Sequence, residues 1–206
     1  MRVSKGQLYI VSAPSGTGKT TLCRQLLKGF PLLKESISYT TRKPRHGEIN
    51  NVDYIFVSVE TFKDMLKNNA FIEHAQVHGN LYGTALATIE GLLSEGNDVL
   101  LDIDTQGAAQ IIDKDINATT IFIMPPSIDA LHQRLKKRNT ESEDAIAMRI
   151  NKAKDEIQQG IHYDYIVIND DLEQALKELS SIITTNRVRA NCIDVDWVEQ
   201  TFHIKA

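Results

Sequence analysis

The most constraining feature of the sequence is a strand, a glycine loop and a helix that follow one another without a break. Residues 8–11 form a continuous apolar run, the loop carries Gly16 and Gly18, and residues 19–28 show helical periodicity. The two glycines allow backbone N–H groups to curl around phosphate oxygens, and the helix N-terminus adds its partial positive charge. This segment predicts a phosphate-binding loop.

The side chains of the loop suit a nucleotide bound with Mg²⁺. Lys19 is expected to reach the β- and γ-phosphates, and Thr20 to offer its hydroxyl to Mg²⁺. Asp102 ends another apolar run, where a carboxylate can hold Mg²⁺ through water, although a turn or helix-cap aspartate is the alternative interpretation. Ala13 stands where the strict loop pattern has glycine, which requires that its φ stay negative. A chance glycine turn is the alternative for the whole segment, and the agreement of strand, loop, Lys-Thr pair and helix argues against it.

Short apolar runs alternate with helical segments along the rest of the chain. This alternation predicts an α/β fold, in which helices flank a parallel sheet. The predicted strands are residues 8–11, 54–57, 98–102, 119–124 and 165–168, and the predicted helices are residues 19–28, 60–68, 87–95, 108–113, 128–137 and 172–188.

Two stretches interrupt the alternation and divide the chain into three parts. Residues 36–87 are expected to form an α+β insertion. Residues 127–160 are mostly charged helix and form a candidate mobile lid, in which Thr140 and Glu143 have the spacing of a capping box. The core then comprises residues 1–35, 88–126 and 161–206.

Composition and charge limit the classes of function. The chain has 206 residues, and its 23 Lys and Arg against 27 Asp and Glu give a formal net charge of -4. Such a balance offers no basic surface for non-specific nucleic-acid binding, so any anion site must be local. Cys23 and Cys192 cannot supply a disulfide framework, and no apolar run has the length of a signal-peptide core or a membrane span. A cytoplasmic protein with no membrane or nucleic-acid partner is expected, and a homo-oligomer is left open.

A second cluster of cations and hydroxyls lies at residues 36–48. Arg42 and Arg45 can present planar donor forks to a phosphate, and Tyr54 adds a neutral donor nearby. One phosphate loop and a separate arginine cluster predict two nucleotides. A solvated basic turn is the alternative interpretation.

The sequence resembles the guanylate kinase family of nucleoside monophosphate kinases over residues 6–188. The motifs that carry the resemblance, in the family's order and spacing, are Ser12-Ala-Pro-Ser-Gly-x-Gly-Lys-Thr20, Thr40-Thr-Arg-x-Pro-Arg-x-Gly-Glu48, Phe71-Ile-Glu73, Gly79-Asn-Leu-Tyr-Gly-Thr84, Leu101-Asp-Ile-Asp-x-Gln-Gly107 and Ile168-Asn-Asp-Asp171. The resemblance implies Mg²⁺-dependent transfer of the γ-phosphoryl group of ATP to GMP, and to dGMP, giving ADP and GDP. It also implies a P-loop core with an inserted GMP-binding lobe and a helical lid.

The resemblance further assigns the two substrate sites. The ATP site falls on Ala13, Pro14, Ser15, Gly16, Thr17, Gly18, Lys19, Thr20, Thr21 and, near the adenine, Asn169. The GMP site falls on Ser38, Arg42, Arg45, Tyr54, Glu73, Tyr82, Thr84 and Asp104, of which Ser38, Thr84 and Asp104 would contact the edge of the base. The two arginines and two tyrosines would bind the GMP phosphate. Glu73 would accept hydrogen bonds from guanine N1–H and from the exocyclic amine, a pair of donors that adenine does not offer.

Catalysis in the resembled family depends on cations. The implied catalytic residues are Lys19, Arg42 and three lid arginines, Arg134, Arg138 and Arg149, which would neutralise charge on the transferred phosphoryl group. Arg134 and Arg138 are four residues apart and therefore share one helix face. No general base is required, because the attacking oxygen belongs to a phosphate that is already ionised near neutral pH.

Three alternatives to this assignment concern the lid, the whole chain and the acceptor nucleotide. A solvated charged helix is the alternative for the lid. A non-catalytic guanylate-kinase-like protein-interaction module is the alternative for the whole chain, and the intact phosphate loop and lid arginines argue against it. Within enzymes, Glu73 and Asp104 disfavour a kinase for another monophosphate.

Some residues depart from the family pattern or have no role in it. Asn51 stands where the family has glycine, and its tolerance of the left-handed region predicts an intact turn. Cys23 is expected to pack on the first helix. His74 and His78 lack a third ligand at zinc spacing, so a structural role or plain exposure is favoured. Residues 190–206 match no motif, and an extra helix and a subunit contact are both left open.

Overall fold

The structure is a computed structural model that describes residues 6–77, 79–137 and 142–205. In chain order its strands are β1 (Leu8–Ser12), β2 (Leu33–Glu35), β3 (Tyr39–Thr40), β4 (Ile55–Phe56), β5 (Phe71–Val77), β6 (Asn80–Ala85), β7 (Asp98–Asp102), β8 (Thr119–Met124) and β9 (Tyr165–Ile168). Its helices are α1 (Lys19–Gly29), α2 (Val59–Lys67), α3 (Leu86–Ser94), α4 (Thr105–Asp113), α5 (Ile128–Lys137), α6 (Glu143–Gly160), α7 (Leu172–Arg187) and α8 (Val195–Phe202). Three residues named above, His78, Arg138 and Thr140, lie outside the described residues.

The core is a parallel sheet with the strand order β2-β7-β1-β8-β9. Its four predicted strands are confirmed, and the short edge strand β2 is an addition. Tyr9 and Val11 of β1 pack with residues of α1 and α7, whereas Leu8 and Ile10 pack with residues of α3 and α4. Both faces of β1 are therefore buried, which explains why this strand is a continuous apolar run.

The first helix is fixed to the sheet by its apolar face. Leu22, Cys23 and Leu26 of α1 are at most 2% exposed and belong to the same cluster as Tyr9 and Val11. The packing role expected for Cys23 is confirmed. This packing places the first turn of α1 at the carboxyl end of β1.

The insertion forms a separate mixed sheet with the strand order β4-β3-β6-β5. Strands β3 and β4 run parallel, and β6 runs antiparallel to both β3 and β5. Helix α2 packs Phe62 against Phe71, with 4.5 Å between ring centroids. The expected α+β insertion is confirmed, and Asn51 adopts a φ of 63°, as its position in the turn predicted.

The charged stretch after β8 forms the helices α5 and α6, which pack through Leu131, Leu135 and Ile146. The expected capping box is wrong in its position. Helix α6 begins at Glu143, and the Ser142 hydroxyl caps it by accepting a hydrogen bond from the backbone N–H of Ala145 at 3.3 Å. Glu143 is thus the first helical residue, where its charge favours the helix dipole.

The C-terminal segment contains an extra helix. Helix α7 ends at Arg187, whose guanidinium pairs with Asp98 at the start of β7. A 3₁₀ turn at Ala190–Cys192 leads into α8, none of whose residues is buried. Within the described part of the chain, no helix has the length and apolar character needed to cross a membrane.

Candidate active site

A cleft of about 500 Å³ separates the phosphate loop from the insertion. Parallel pairing aligns Val11 of β1 with Asp102 of β7, so the loop after β1 and the carboxylate at the end of β7 meet at the same edge of the sheet. The predicted site residues that line the cleft are Ala13, Pro14, Ser15, Gly16, Thr17, Gly18, Lys19, Thr20, Thr21, Ser38, Arg42, Arg45, Tyr54, Glu73, Tyr82, Asp102 and Asp104. The structure thus brings together the two predicted anion sites, which are separated in sequence.

The phosphate loop has the backbone that its glycines predict. Gly16 and Gly18 have φ angles of 99° and 96°, in the region that favours glycine. Thr17 closes the loop by donating to the carbonyl of Pro14 from its N–H at 3.3 Å and from its hydroxyl at 2.8 Å. The φ angle of Ala13 is not positive, as the methyl group at this position of the loop requires.

Lys19 is held across the end of the core sheet. Its ammonium donates to the carbonyl of Ile103 at 2.6 Å and pairs with Asp102 at 2.6 Å. Both side chains of the pair are 18% exposed and line the cleft, so they are accessible to a ligand there. At a phosphate loop, the Lys19 ammonium can bind a phosphate, and the Asp102 carboxylate can bind the cation that accompanies the phosphate.

The oxygen donors beside the loop fit a magnesium ion that also takes phosphate oxygens. The Asp102 carboxylate and the Thr20 hydroxyl both border the cleft. Among the described residues, no group of three or more His, Cys, Asp or Glu side chains could hold a metal by itself. Mg²⁺ is commonly bound by one or two protein oxygens, substrate phosphates and water, so this small donor set suits it.

Three predicted residues brace the loop from outside the cleft lining. The Asn169 amide donates to the carbonyl of Thr17 at 2.6 Å, and Arg134 donates to the carbonyls of Asn169 at 2.8 Å and Thr17 at 3.4 Å. Arg149 donates to the Ser15 hydroxyl. These contacts join α5, α6 and the end of β9 to the phosphate loop. The side-chain amide expected near the adenine is therefore bonded to the loop backbone.

The predicted second anion site is centred on Arg42. Its guanidinium makes a two-pronged pair with Glu48, each N···O distance being 2.9 Å, and its Nε donates to the Tyr82 hydroxyl at 3.1 Å. The ring of Tyr54 lies against it, 5.3 Å from Cζ to the ring centroid. The planar donors of Arg42, which were expected to face a phosphate, thus bind the Glu48 carboxylate in this structure.

The Arg42 and Glu48 pair is held in its charged form. Hydrogen bonding to Glu48 raises the pKa of Arg42 above its usual range. Hydrogen bonds from the Arg42 side chain and from the backbone N–H of Arg45 lower the pKa of Glu48 to about 2. Glu48 ends the motif that begins at Thr40, but the sequence assigned it no role. Its position six residues after Arg42 was the only local sign that the two side chains could pair.

Glu73 is a buried carboxylate that lines the same cleft from β5 of the insertion. It is 4% exposed, and Oε1 accepts a hydrogen bond from the Thr84 hydroxyl at 2.6 Å. Thr84 in turn lies 3.3 Å from the Ser38 hydroxyl. Burial raises the pKa of Glu73, against the hydrogen bond from Thr84. This arrangement creates an acceptor that is costly to leave without donors, which is suited to selecting a ligand by its N–H groups.

Helix α4 approaches Glu73 closely. A Cβ atom at Gly107 would lie 2.6 Å from Glu73 Oε2, so only glycine leaves room for the carboxylate. The Asp104 carboxylate caps α4 by accepting from the backbone N–H of Gly107 at 2.9 Å. Asp104 therefore positions the helix end that forms the wall beside Glu73, and it also lines the cleft.

Two cleft residues on α6 were missed by the sequence analysis. Lys152 and Glu156 line the cleft and form an ion pair at 3.5 Å. Their four-residue spacing on a predicted helix was a signal for a pair, but nothing local indicated that the pair faces the phosphate loop.

A phosphate loop and a predicted second anion site that line one cleft are the features expected of a P-loop nucleoside monophosphate kinase. The sequence profile of the family described as guanylate kinase matches residues 5–186. The chain is 46% identical over 198 residues to the guanylate kinase of Geobacter sulfurreducens, covering 96% of this chain and 97% of that protein. It is 48% identical over 189 residues to the guanylate kinase of Escherichia coli K12, covering 91% of each.

A solved structure agrees with these sequence matches. The crystal structure of guanylate kinase from Anaplasma phagocytophilum matches 100% of this chain and 100% of that chain, with a TM-score of 0.78 and 32% sequence identity. The chain belongs to the guanylate kinase family.

Proposed function

We propose that this cleft transfers the γ-phosphoryl group of ATP to GMP, and to dGMP, giving ADP and GDP in a Mg²⁺-dependent reaction. The observation that carries the proposal is that one cleft is lined both by Lys19, at the start of α1 in the core, and by Glu73, on β5 of the insertion. A phosphate-binding cation and a carboxylate selective for guanine N–H groups then act on two different nucleotides. The transfer needs positioning and charge stabilisation rather than a protein nucleophile.

The ATP phosphates would lie in the loop between Gly16 and Thr20. Backbone N–H groups of the loop and the N-terminus of α1 would bind the phosphate oxygens, and Lys19 would leave Asp102 to contact the β- and γ-phosphates. Thr20 and Asp102 would hold Mg²⁺, which when bound supplies charge neutralisation between phosphate oxygens.

The acceptor nucleotide would lie across the insertion. Glu73 would accept from guanine N1–H and from the exocyclic amine, while Thr84 keeps one carboxylate oxygen oriented. Arg45, Tyr54 and Tyr82 would bind the phosphate together with Arg42, whose orientation Glu48 fixes. An adenine base would present an acceptor to a buried carboxylate and is therefore excluded.

Residues 127–160 would act as a lid. Arg134 and Arg149 already touch the phosphate loop, so small shifts of α5 and α6 can bring their guanidinium groups to the transferred phosphoryl group. Arg138, which follows Arg134 by four residues in the sequence, would join them. Closure would also exclude water, which limits wasteful hydrolysis of ATP.

The compartment that suits this chain is the reducing cytoplasm. Cys23 and Cys192 are both buried free thiols. A nucleotide-metabolising enzyme of this kind needs no disulfide for stability when it has a full apolar core.

The decisive experiment measures ADP release from ATP and Mg²⁺ with GMP, dGMP, AMP, CMP and UMP as separate acceptors. Turnover confined to the guanine nucleotides is the expected result, and Lys19→Met is expected to abolish it without unfolding the chain. Binding of GMP with no turnover would favour the protein-interaction module instead. Turnover with another base would leave the phosphate loop in place and refute the role of Glu73.

A further inference from the structure

The lid helix α6 presents a charged pair to the cleft that the proposed reaction does not use. Lys152 and Glu156 line the cleft together with the phosphate loop and the Arg42 site. Arg149, Lys152 and Glu156 are spaced three and four residues apart, so they share one face of α6. Arg149 on that face already contacts Ser15 of the phosphate loop. Lys152 therefore lies one helical turn from an arginine that touches the ATP site.

The two members of the pair differ in exposure. The Glu156 side chain is 9% exposed, whereas that of Lys152 is 57% exposed, and the distance between Nζ and Oε1 is 3.5 Å. The carboxylate is therefore the buried member of the pair, and the ammonium is carried by a long, mostly exposed side chain. An ammonium has three donors, so Lys152 can keep Glu156 as one partner and offer the others to a ligand.

The charges around Glu156 explain why a cation is needed there. Burial raises the pKa of Glu156, Lys152 opposes that shift, and the next charged groups that act on it are Asp104 and Lys19. A buried carboxylate on the wall of a phosphate site repels phosphate unless a cation offsets it. Lys19 and Arg42 are already assigned to the phosphates of the two nucleotides, and in this structure they pair with Asp102 and Glu48. Lys152 is the cleft cation on α6 that can serve both Glu156 and an incoming anion.

We propose that Lys152 is a further phosphate-binding residue of the lid, whose ammonium bridges Glu156 and the oxygens of the transferred phosphoryl group when both nucleotides are bound. Glu156 is the positioning residue that keeps the ammonium over the cleft. This inference rests on the proposed ATP:GMP transfer. It adds a cation to the lid, on the same face of α6 as Arg149 and one helical turn away from it.

The test compares steady-state kcat and KM for ATP and GMP in Lys152→Met and in a matched control, Lys154→Met. Lys154 is exposed on the same helix and does not line the cleft, so its variant has the same change in charge and length. Loss of a charge-assisted phosphate contact is expected to lower kcat of Lys152→Met at least about tenfold, with a smaller change in KM for GMP. Lys154→Met is expected to stay within about twofold of the unchanged protein.

Two further variants separate a phosphate contact from simple neutralisation of Glu156. Lys152→Arg keeps the charge and is expected to retain most of kcat. The double variant Lys152→Met/Glu156→Gln removes the repulsive carboxylate as well and is expected to stay well below the unchanged protein, because the phosphate contact is still missing.

The outcomes distinguish the inference from the function on which it rests. No GMP phosphorylation by the unchanged protein would refute the proposed function itself. An active protein in which Lys152→Met behaves like Lys154→Met would overturn the inference alone. Full recovery in the double variant, or a loss in Lys152→Arg as large as in Lys152→Met, would overturn it too.

Discussion

Replacing Glu73 by glutamine separates recognition of guanine from stability of the fold. The side chain is 4% exposed, and Oε1 accepts from the Thr84 hydroxyl at 2.6 Å. Glutamine has nearly the same shape and can keep that acceptor. Its second terminal atom becomes an NH₂ group, so an acceptor for guanine is replaced by a donor.

The magnitude follows from the hydrogen bonds that change. A hydrogen bond to a charged group contributes about 1.5–3 kcal/mol, and leaving a buried donor without an acceptor costs about 1–3 kcal/mol. A combined loss of about 3 kcal/mol corresponds to roughly a 100-fold fall in kcat/KM for GMP. The KM for ATP is expected to change little, because the proposed site of the ATP phosphates is the loop between Gly16 and Thr20, whereas Glu73 lies on β5 of the insertion.

Glu73→Gln is expected to lose GMP turnover but not folding stability at pH 7. Burial raises the pKa of Glu73, so the folded protein holds this proton to higher pH than the unfolded chain does. The contribution of Glu73 to stability is therefore fully present below the unfolded pKa of about 4.5 and is lost as pH rises through the folded pKa. The raised pKa values of Glu35 and Glu156 are common to both proteins and cancel in the difference. At pH 7, Glu73→Gln is expected to be at least as stable as the unchanged protein.

Two measurements check the Glu73 prediction, with Glu90→Gln, an exposed glutamate on α3, as the control. Coupled-assay kinetics with GMP and AMP report the base preference. Urea unfolding at pH 4 and pH 7 reports the stability difference, which is expected to favour the variant more at pH 7. An unchanged preference for GMP over AMP would refute the role of Glu73 in base recognition. A variant that loses stability relative to the unchanged protein as pH rises would refute the burial argument.

Three further predictions concern packing and charge. Gly107→Ala places a Cβ atom 2.6 Å from Glu73 Oε2, so the end of the Glu73 side chain must move and KM for GMP is expected to rise at least about tenfold. The unfolding midpoint of the protein is expected to stay nearly unchanged, because alanine favours a helix more than glycine does and this offsets the crowding at Glu73. Unchanged GMP kinetics would contradict this close approach. Glu48→Gln is expected to raise KM for GMP and to lower the thermal stability of the protein at pH 7. Because the pKa of Glu48 is lowered to about 2, the difference in stability between the two proteins should shrink as pH falls below 4.5 and disappear near pH 2. A difference that persists near pH 2 would argue against the pair with Arg42 as its cause. Leu22→Ala truncates a fully buried side chain and is expected to lower the free energy of unfolding in urea by about 2–5 kcal/mol. The kcat at low temperature is expected to stay nearly unchanged. A loss below about 1 kcal/mol would show that the surrounding side chains collapse into the cavity.

Local patterns predicted the parts of this protein that are decided within a few residues. The strand, glycine loop and helix at the N-terminus follow from apolar runs and from two glycines with positive φ. Asn51 adopts the left-handed turn that its position predicted. The start of α6 was misplaced because Thr140 and Ser142 are both good caps, and their sequence positions alone did not decide between them.

The sequence by itself determined the residue types of the phosphate loop, the alternation of strands and helices, and the family motifs around Arg42 and Glu73. Tertiary structure decided which of these residues meet. Lys19 contacts Asp102 only because β1 and β7 pair in one register, and Gly107 approaches Glu73 only because α4 packs on β5. The ion pair of Lys152 and Glu156 was a local signal, but its direction toward the cleft depends on how α6 lies against the core. The physical reason is that periodicity and turn chemistry act over a few residues, whereas contacts between distant segments depend on strand order and helix packing.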